Sequence, residues 1–157
     1  ETSDKVRQAI FNLIGQFFDG EVVLDLFAGS GAMGLEAISR GACEAYFNDI
    51  NKQAIETVKR NALKLKVLEQ CDLKNMDFKD YLTSINRPFD IIFLDPPYKM
   101  NNVDEILSLI YQYKLLKSKG IIAFEMESQT NPDSKYYKII KDRSYGIKRV
   151  VIYKEEI

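Results

Sequence analysis

No histidine occurs in the 157 residues of this chain. That excludes His-based catalytic triads and His-ligated metal centres, so any chemistry must come from carboxylates, backbone groups, tyrosine or a cofactor. Cysteine is nearly as scarce. Cys43 and Cys71 are the two present, and without zinc-ligand spacing they read as small buried hydrophobes, with no metal implied. No apolar run approaches the roughly 18 residues of a membrane span. No signal-peptide pattern is visible, and there are no repeats or low-complexity tracts. An excess of one charge is also missing. Lys and Arg total 22 against 23 Asp and Glu, for a net charge of -1. A basic footprint for nucleic acid must therefore be local if it exists at all.

What is present is ordinary for a soluble globular protein: 46% hydrophobic and 29% charged residues. The length predicts one domain over residues 1–157, able to bury about two-thirds of its unfolded surface. Thr2 or Ser3 serves as an N-cap for a first helix, in which Val6, Ile10, Leu13, Ile14 and Phe17 recur at helical spacing. Asp19-Gly20 ends that pattern. Buried strands are expected at 21–27, 44–49, 89–94 and 120–126, with a weaker one near 67–72. Helices are expected at 32–40, 52–64 and 102–116. Residues 136–142 and 146–153 read as two further strands around the turn signal Ser144-Tyr145-Gly146. Alternating strands and helices imply a mostly parallel sheet with helices on both faces. The final pair has no room for a crossover helix and should be antiparallel. Ligands of such sheets bind at the carboxyl ends of the strands.

Two motifs fall at those ends. The first is Asp25-Leu26-Phe27-Ala28-Gly29-Ser30-Gly31, which with Gly34 spells G-x-G-x-x-G between a strand and a helix. Asp49 closes the next strand about 20 residues on, where a carboxylate can accept from both hydroxyls of a ribose. This pattern suits a nicotinamide dinucleotide, whose pyrophosphate would sit at the helix N-terminus, and it also suits S-adenosylmethionine. Asp25 favours the second. A carboxylate just before the loop repels a pyrophosphate and attracts an ammonium, a difference of a few kcal/mol at about 4 Å. A strand-to-helix turn without a ligand is the third reading.

The second motif is Asp95-Pro96-Pro97-Tyr98. A rigid turn with an aromatic packed on it would explain the prolines, though not the acid before them and the ring after them. The amino group of a nucleic-acid base is a poor nucleophile, because its lone pair is delocalised into the ring. Asp95 and the Pro96 carbonyl can accept hydrogen bonds from that amine and stabilise the positive charge that grows as it attacks a methyl carbon. Tyr98 can stack on the base, an interaction of about 1–3 kcal/mol, and hold it in line. The base must be unpaired or flipped out of its stack. Arg87, Lys114, Lys117, Lys119, Arg143, Lys148 and Arg149 read as ordinary solvated charges. Lys99 is the exception, because the tetrapeptide places it at the pocket mouth, where it can meet a phosphate.

Thr2-Ser3-Asp4-Lys5-Val6-Arg7, Ala9-Ile10-Phe11-Asn12, the glycine loop and Asp95-Pro96-Pro97-Tyr98, in this order and spacing, resemble the RsmD family of bacterial methyltransferases. The resemblance covers nearly the whole chain, and its N-terminal run is the most family-specific piece. It implies an α/β, Rossmann-like class I S-adenosylmethionine methyltransferase with a seven-stranded, mostly parallel sheet, its last strand antiparallel, and helices on both faces. It implies methylation of the guanine N2 amine in small-subunit (16S) ribosomal RNA by a cytoplasmic, monomeric enzyme. It places Asp25 and the loop Phe27, Ala28, Gly29, Ser30 and Gly31 around the methionine part of S-adenosyl-L-methionine, Asp49 at the ribose, and Ile50 among the donor-binding residues. Asp77 and Phe78 match the segment beside the adenine, for which Asp72 competes. Thr2 and Arg7 match a segment that closes over the donor, with Arg7 at its carboxylate. The family usually begins with a basic strand pair and an Arg-Pro-Thr-Ser run. Here Glu1 stands where proline is usual, and an upstream RNA-contacting segment is expected. The competing readings are an adenine-N6 or cytosine-N4 DNA methyltransferase, a nicotinamide-dependent oxidoreductase and a catalytically silent RNA-binding module.

Overall fold

The computed structural model describes residues 3–97 and 102–156. Helix α1 (Asp4–Ile14) starts at Ser3, whose hydroxyl accepts the Val6 N–H at 3.3 Å. Strand β1 (Val22–Asp25) and helix α2 (Ala32–Ser39) flank the glycine loop, and β2 (Glu44–Asn48) and α3 (Lys52–Lys64) follow. Then come β3 (Cys71–Lys74), α4 (Phe78–Ser84), β4 (Phe89–Leu94), α5 (Val103–Gln112), β5 (Leu116–Glu127), β6 (Tyr137–Tyr145) and β7 (Lys148–Glu155).

These strands form one seven-stranded sheet in the order β3-β2-β1-β4-β5-β7-β6. Strands β1 to β5 are mutually parallel, and β7 is antiparallel to both β5 and β6. The expected parallel sheet with an inserted antiparallel last strand is therefore observed. Side-chain alternation divides the core. Leu24, Ile92 and Phe124 pack with α4 and α5, whereas Val23, Ile91 and Ala123 pack with α1, α2 and α3. Helices thus cover both faces. Among the described residues no helix is long and apolar enough to cross a membrane.

Several boundaries differ from the periodicity. Helix α1 stops at Gly15, whose φ of 127° is open to glycine, and this leaves Phe17 outside the helix and 87% exposed. Helix α5 ends before Lys114, which has φ of 55°, because Leu116 already pairs with Phe89 as the start of β5. A short 3₁₀ turn takes residues 68–70, so the third strand begins at Cys71. Helix α4 went unsignalled, having just seven residues.

Candidate functional site

Parallel strands end where their following loops diverge, and here four such ends meet above one cavity of about 620 Å³. That volume suits a small-molecule ligand. From the end of β1 come Asp25, Phe27, Ala28, Gly29 and Ser30. Asp49 and Ile50 follow β2, Asp77 and Phe78 start α4, and Asp95, Pro96 and Pro97 follow β4. Gly31 does not line the cavity. It shapes the loop from behind, left-handed at φ 84°, as the N-cap of α2. Arg7 is also absent from the lining, and its guanidinium meets Asp4 at 2.9 Å and Glu36 at 3.8 Å. Asp72 lies on β3 outside the cavity. Thr2, Tyr98 and Lys99 fall outside the described residues.

Backbone donors fix the acids in place. Asp49 accepts the Gly29 N–H on Oδ2 at 3.0 Å and the Asn51 N–H on Oδ1 at 2.9 Å. The glycine loop and the second strand are thus tied through one carboxylate. Asp25 is 4% exposed, and its Oδ2 accepts the Gly34 N–H at 3.0 Å. Burial pushes the Asp25 carboxyl up to about 7; the Gly34 hydrogen bond opposes that rise, and the nearby Asp95 and Asp49 charges add to it. Asp77 Oδ1 accepts the Lys79 N–H at 2.8 Å and so caps α4. The Phe27 and Phe78 rings lie 5.5 Å apart and form one apolar wall.

Asn48, Glu125 and Lys148 also line the cavity, and none of them was singled out from the sequence. Asn48, 1% exposed, donates to the Met76 carbonyl at 3.0 Å and accepts the Met76 N–H at 3.1 Å, pinning the segment before Asp77 to the end of β2. Glu125 is a buried acid near the end of β5, a single charge within a strand with no proline or glycine motif beside it. Lys148, expected to be a solvated charge, lies inside the cavity, with its Nζ 3.7 Å from Asp95 Oδ1 and 3.5 Å from Glu125 Oε2. No local pattern marks it. By contrast Arg87, Lys117 and Arg149 pair with Glu44, Asp90 and Asp142 away from the cavity.

The lining therefore carries five carboxylates, from Asp25, Asp49, Asp77, Asp95 and Glu125, and one cation, Lys148, among the described residues. Such a cavity suits a cationic ligand and disfavours a pyrophosphate.

Known proteins share this architecture. The YlbH protein of Bacillus subtilis is 38% identical over 159 residues, spanning 98% of this chain and 86% of that protein. The ribosomal RNA small subunit methyltransferase D of Haemophilus influenzae is 32% identical over 158 residues, 97% of this chain and 81% of that one. A solved structure described as a conserved hypothetical protein of Streptococcus pyogenes superposes with a TM-score of 0.90 at 32% identity, covering 96% of this chain and 95% of that one. Residues 1–154 match the family described as Conserved hypothetical protein 95, and the chain belongs to that family, the RsmD family.

Proposed function

We propose that this chain transfers a methyl group from S-adenosyl-L-methionine to the N2 amine of a guanine in small-subunit ribosomal RNA. The observation that carries the reading is the meeting of Asp25, Asp49 and Asp95 in one acid-lined cavity at the carboxyl edge of the sheet. The relatives named as ribosomal RNA methyltransferases and the family-specific N-terminal run support RNA over DNA, and guanine N2 is what the resemblance to the family implies. The reading carries with it the cytoplasm as compartment, the small ribosomal subunit as partner and the monomer as active unit.

The residues fit the donor. Asp25 offers a buried carboxylate to its ammonium. Asp49 is held by two backbone N–H groups, and a carboxylate has further acceptor sites for ribose hydroxyls. Ile50 would be a further donor contact, and Asp77 and Phe78 would lie beside the adenine. Thr2 and Arg7 close the methionine end, where Arg7 would exchange Asp4 for the donor carboxylate. When bound, the donor supplies a methyl carbon on a sulfonium leaving group. The chain's own contribution is to hold the base. Asp95 and the Pro96 carbonyl accept the two N2 hydrogens, Pro97 keeps the turn rigid and Tyr98 stacks on the ring. Held in this way, the N2 lone pair would face the methyl carbon of the bound donor, and the N2 proton lost after transfer would pass to water.

The test is transfer of radiolabel to hypomethylated small subunits, naked ribosomal RNA and duplex DNA in parallel, followed by digestion to nucleosides. Label in N2-methylguanosine is expected. Label in a DNA base would replace the substrate, and heat stabilisation by NAD without any by the donor would replace the cofactor. Asp95→Ala should cut transfer by about 100- to 1,000-fold while S-adenosylhomocysteine still binds.

A further inference from the structure

Lys148 opens β7. Because β7 runs antiparallel to β5, its first residue lies at the edge where β4 and β5 finish. Were β7 parallel to its neighbour, that residue would lie at the opposite edge of the sheet; reversed, it enters the site beside Asp95. Its partner Glu125 faces Val150 in register and is 3% exposed. An ion pair that keeps its acid buried is a poor means of stabilisation, since apolar residues of similar volume often serve as well or better. This pair also joins a residue assigned to the reaction. Its ammonium lies within 4 Å of both carboxylates and limits a four-carbon stem that would otherwise sample many rotamers.

We propose that Lys148, anchored by Glu125, is a positioning residue for methyl transfer. Its ammonium fixes the rotation of the Asp95 carboxylate about the Cβ–Cγ bond, and with it the direction along which that carboxylate accepts from the target amine. Glu125 holds the ammonium from the side of β5, so Lys148 does not swing out into solvent or across to Asp25. The inference rests on the assignment of Asp95 made under Proposed function. It adds two residues to that assignment and predicts that they act through Asp95 alone.

The experiment is a double-mutant cycle with Lys148→Met and Asp95→Ala, read as kcat and KM for the donor and for hypomethylated small subunits. Lys148→Met should lower kcat by about 10- to 100-fold, with KM for the donor and the affinity for S-adenosylhomocysteine within about twofold of the wild type. In the Asp95→Ala background the same substitution should change residual transfer by less than about twofold, because nothing remains to be positioned. Lys148→Arg should restore part of the loss. An equal loss in both backgrounds would overturn the proposal, and so would an effect confined to the KM for the subunit, which would mark a phosphate contact. Lys148→Met leaves Glu125 buried without that cation, so the pair Lys148→Met with Glu125→Gln is the variant to use if the single one unfolds. A second readout needs no turnover: crystal structures of wild type and Lys148→Met with S-adenosylhomocysteine. A rotated Asp95 carboxylate in the variant supports the proposal, and an unchanged one overturns it. Wild-type protein that methylates no RNA would sink the proposed function, and the crystal comparison would still decide the role of Lys148.

Discussion

Asp25 is almost wholly buried where it lines the cavity, and its task in the proposed reaction is to meet a positive charge. Burial keeps its proton on up to about 7. Below that pH the folded protein without a ligand presents a neutral carboxylic acid, and above it a carboxylate. The ammonium of S-adenosylhomocysteine stays protonated across this range, so its affinity should rise by about tenfold from pH 6 to pH 8 and then level off. Calorimetric titration at several pH values checks this, and Asp25→Asn should flatten the profile. The acids at 25, 49 and 95 were legible in the sequence because each sits beside glycines or prolines, or at a set distance from them, at a strand end. Glu125 and Lys148 were not. Each is one charge in a strand, and their meaning arises when β5 and β7 are laid side by side. Arg7 illustrates the reverse case: the N-terminal run that identifies the family places it near the donor, while the structure shows it engaged by Asp4 and Glu36.

At the scale of elements, α2 lies so close to β2 that Gly34 has no room for a side chain. A Cβ there would overlap Cε2 of the Phe47 ring and lie 2.7 Å from its Cζ, and Phe47 is fully buried. Gly34→Ala should therefore cost about 1–3 kcal/mol in urea unfolding. It should also weaken donor binding, since the Gly34 N–H holds Asp25. The third glycine of the loop thus serves packing, while Gly29 and Gly31 serve the left-handed turns at φ 55° and 84°. Asn48→Ala is the matching test on the other side of the cavity. It removes both bonds to Met76, with an expected cost of about 1–3 kcal/mol, and it should loosen the Asp77–Phe78 segment. Hydrogen exchange of the Met76 and Phe78 amides would report that, and unchanged protection would count against it. The sequence missed α4 because a helix of two turns offers three buried residues, Phe78, Tyr81 and Leu82, too few for a period to stand out. It misplaced β3 because none of the residues in that edge strand is fully buried, so no alternation marks it.

For the whole molecule, the Asp25 proton links ligand binding to folding. Its carboxyl pKa is about 7 in the folded state, against 3.8 for an aspartate side chain free in water. Between those values the folded chain therefore binds a proton that the unfolded chain has released. The contribution to stability is complete below pH 3.8, falls as pH rises and is gone above about 7. A cationic ligand offsets the loss. The gain in melting temperature on adding S-adenosylhomocysteine should accordingly be larger at pH 8 than at pH 6, and Asp25→Asn should make the two equal. Scanning calorimetry decides. Fold class was legible at this scale because alternating strands and helices permit few arrangements. The strand order was not, because periodicity says which residues are buried and nothing about which strand is beside which.

The insertion of β7 between β5 and β6 also bears on how the chain is made. Among the described residues, strand β6 pairs with β7 alone, and β7 follows it in the sequence. As synthesis proceeds, β6 emerges before any strand it can join, and the outer edge of β5, carrying Ile122 and Phe124, stays open until Lys148 and the residues after it have appeared. A nascent chain halted at Gly146 would hold its glycine loop and Asp95 and would still lack both a closed sheet and the lysine beside Asp95. Sheet closure and completion of the site therefore come together, once β7 has been made.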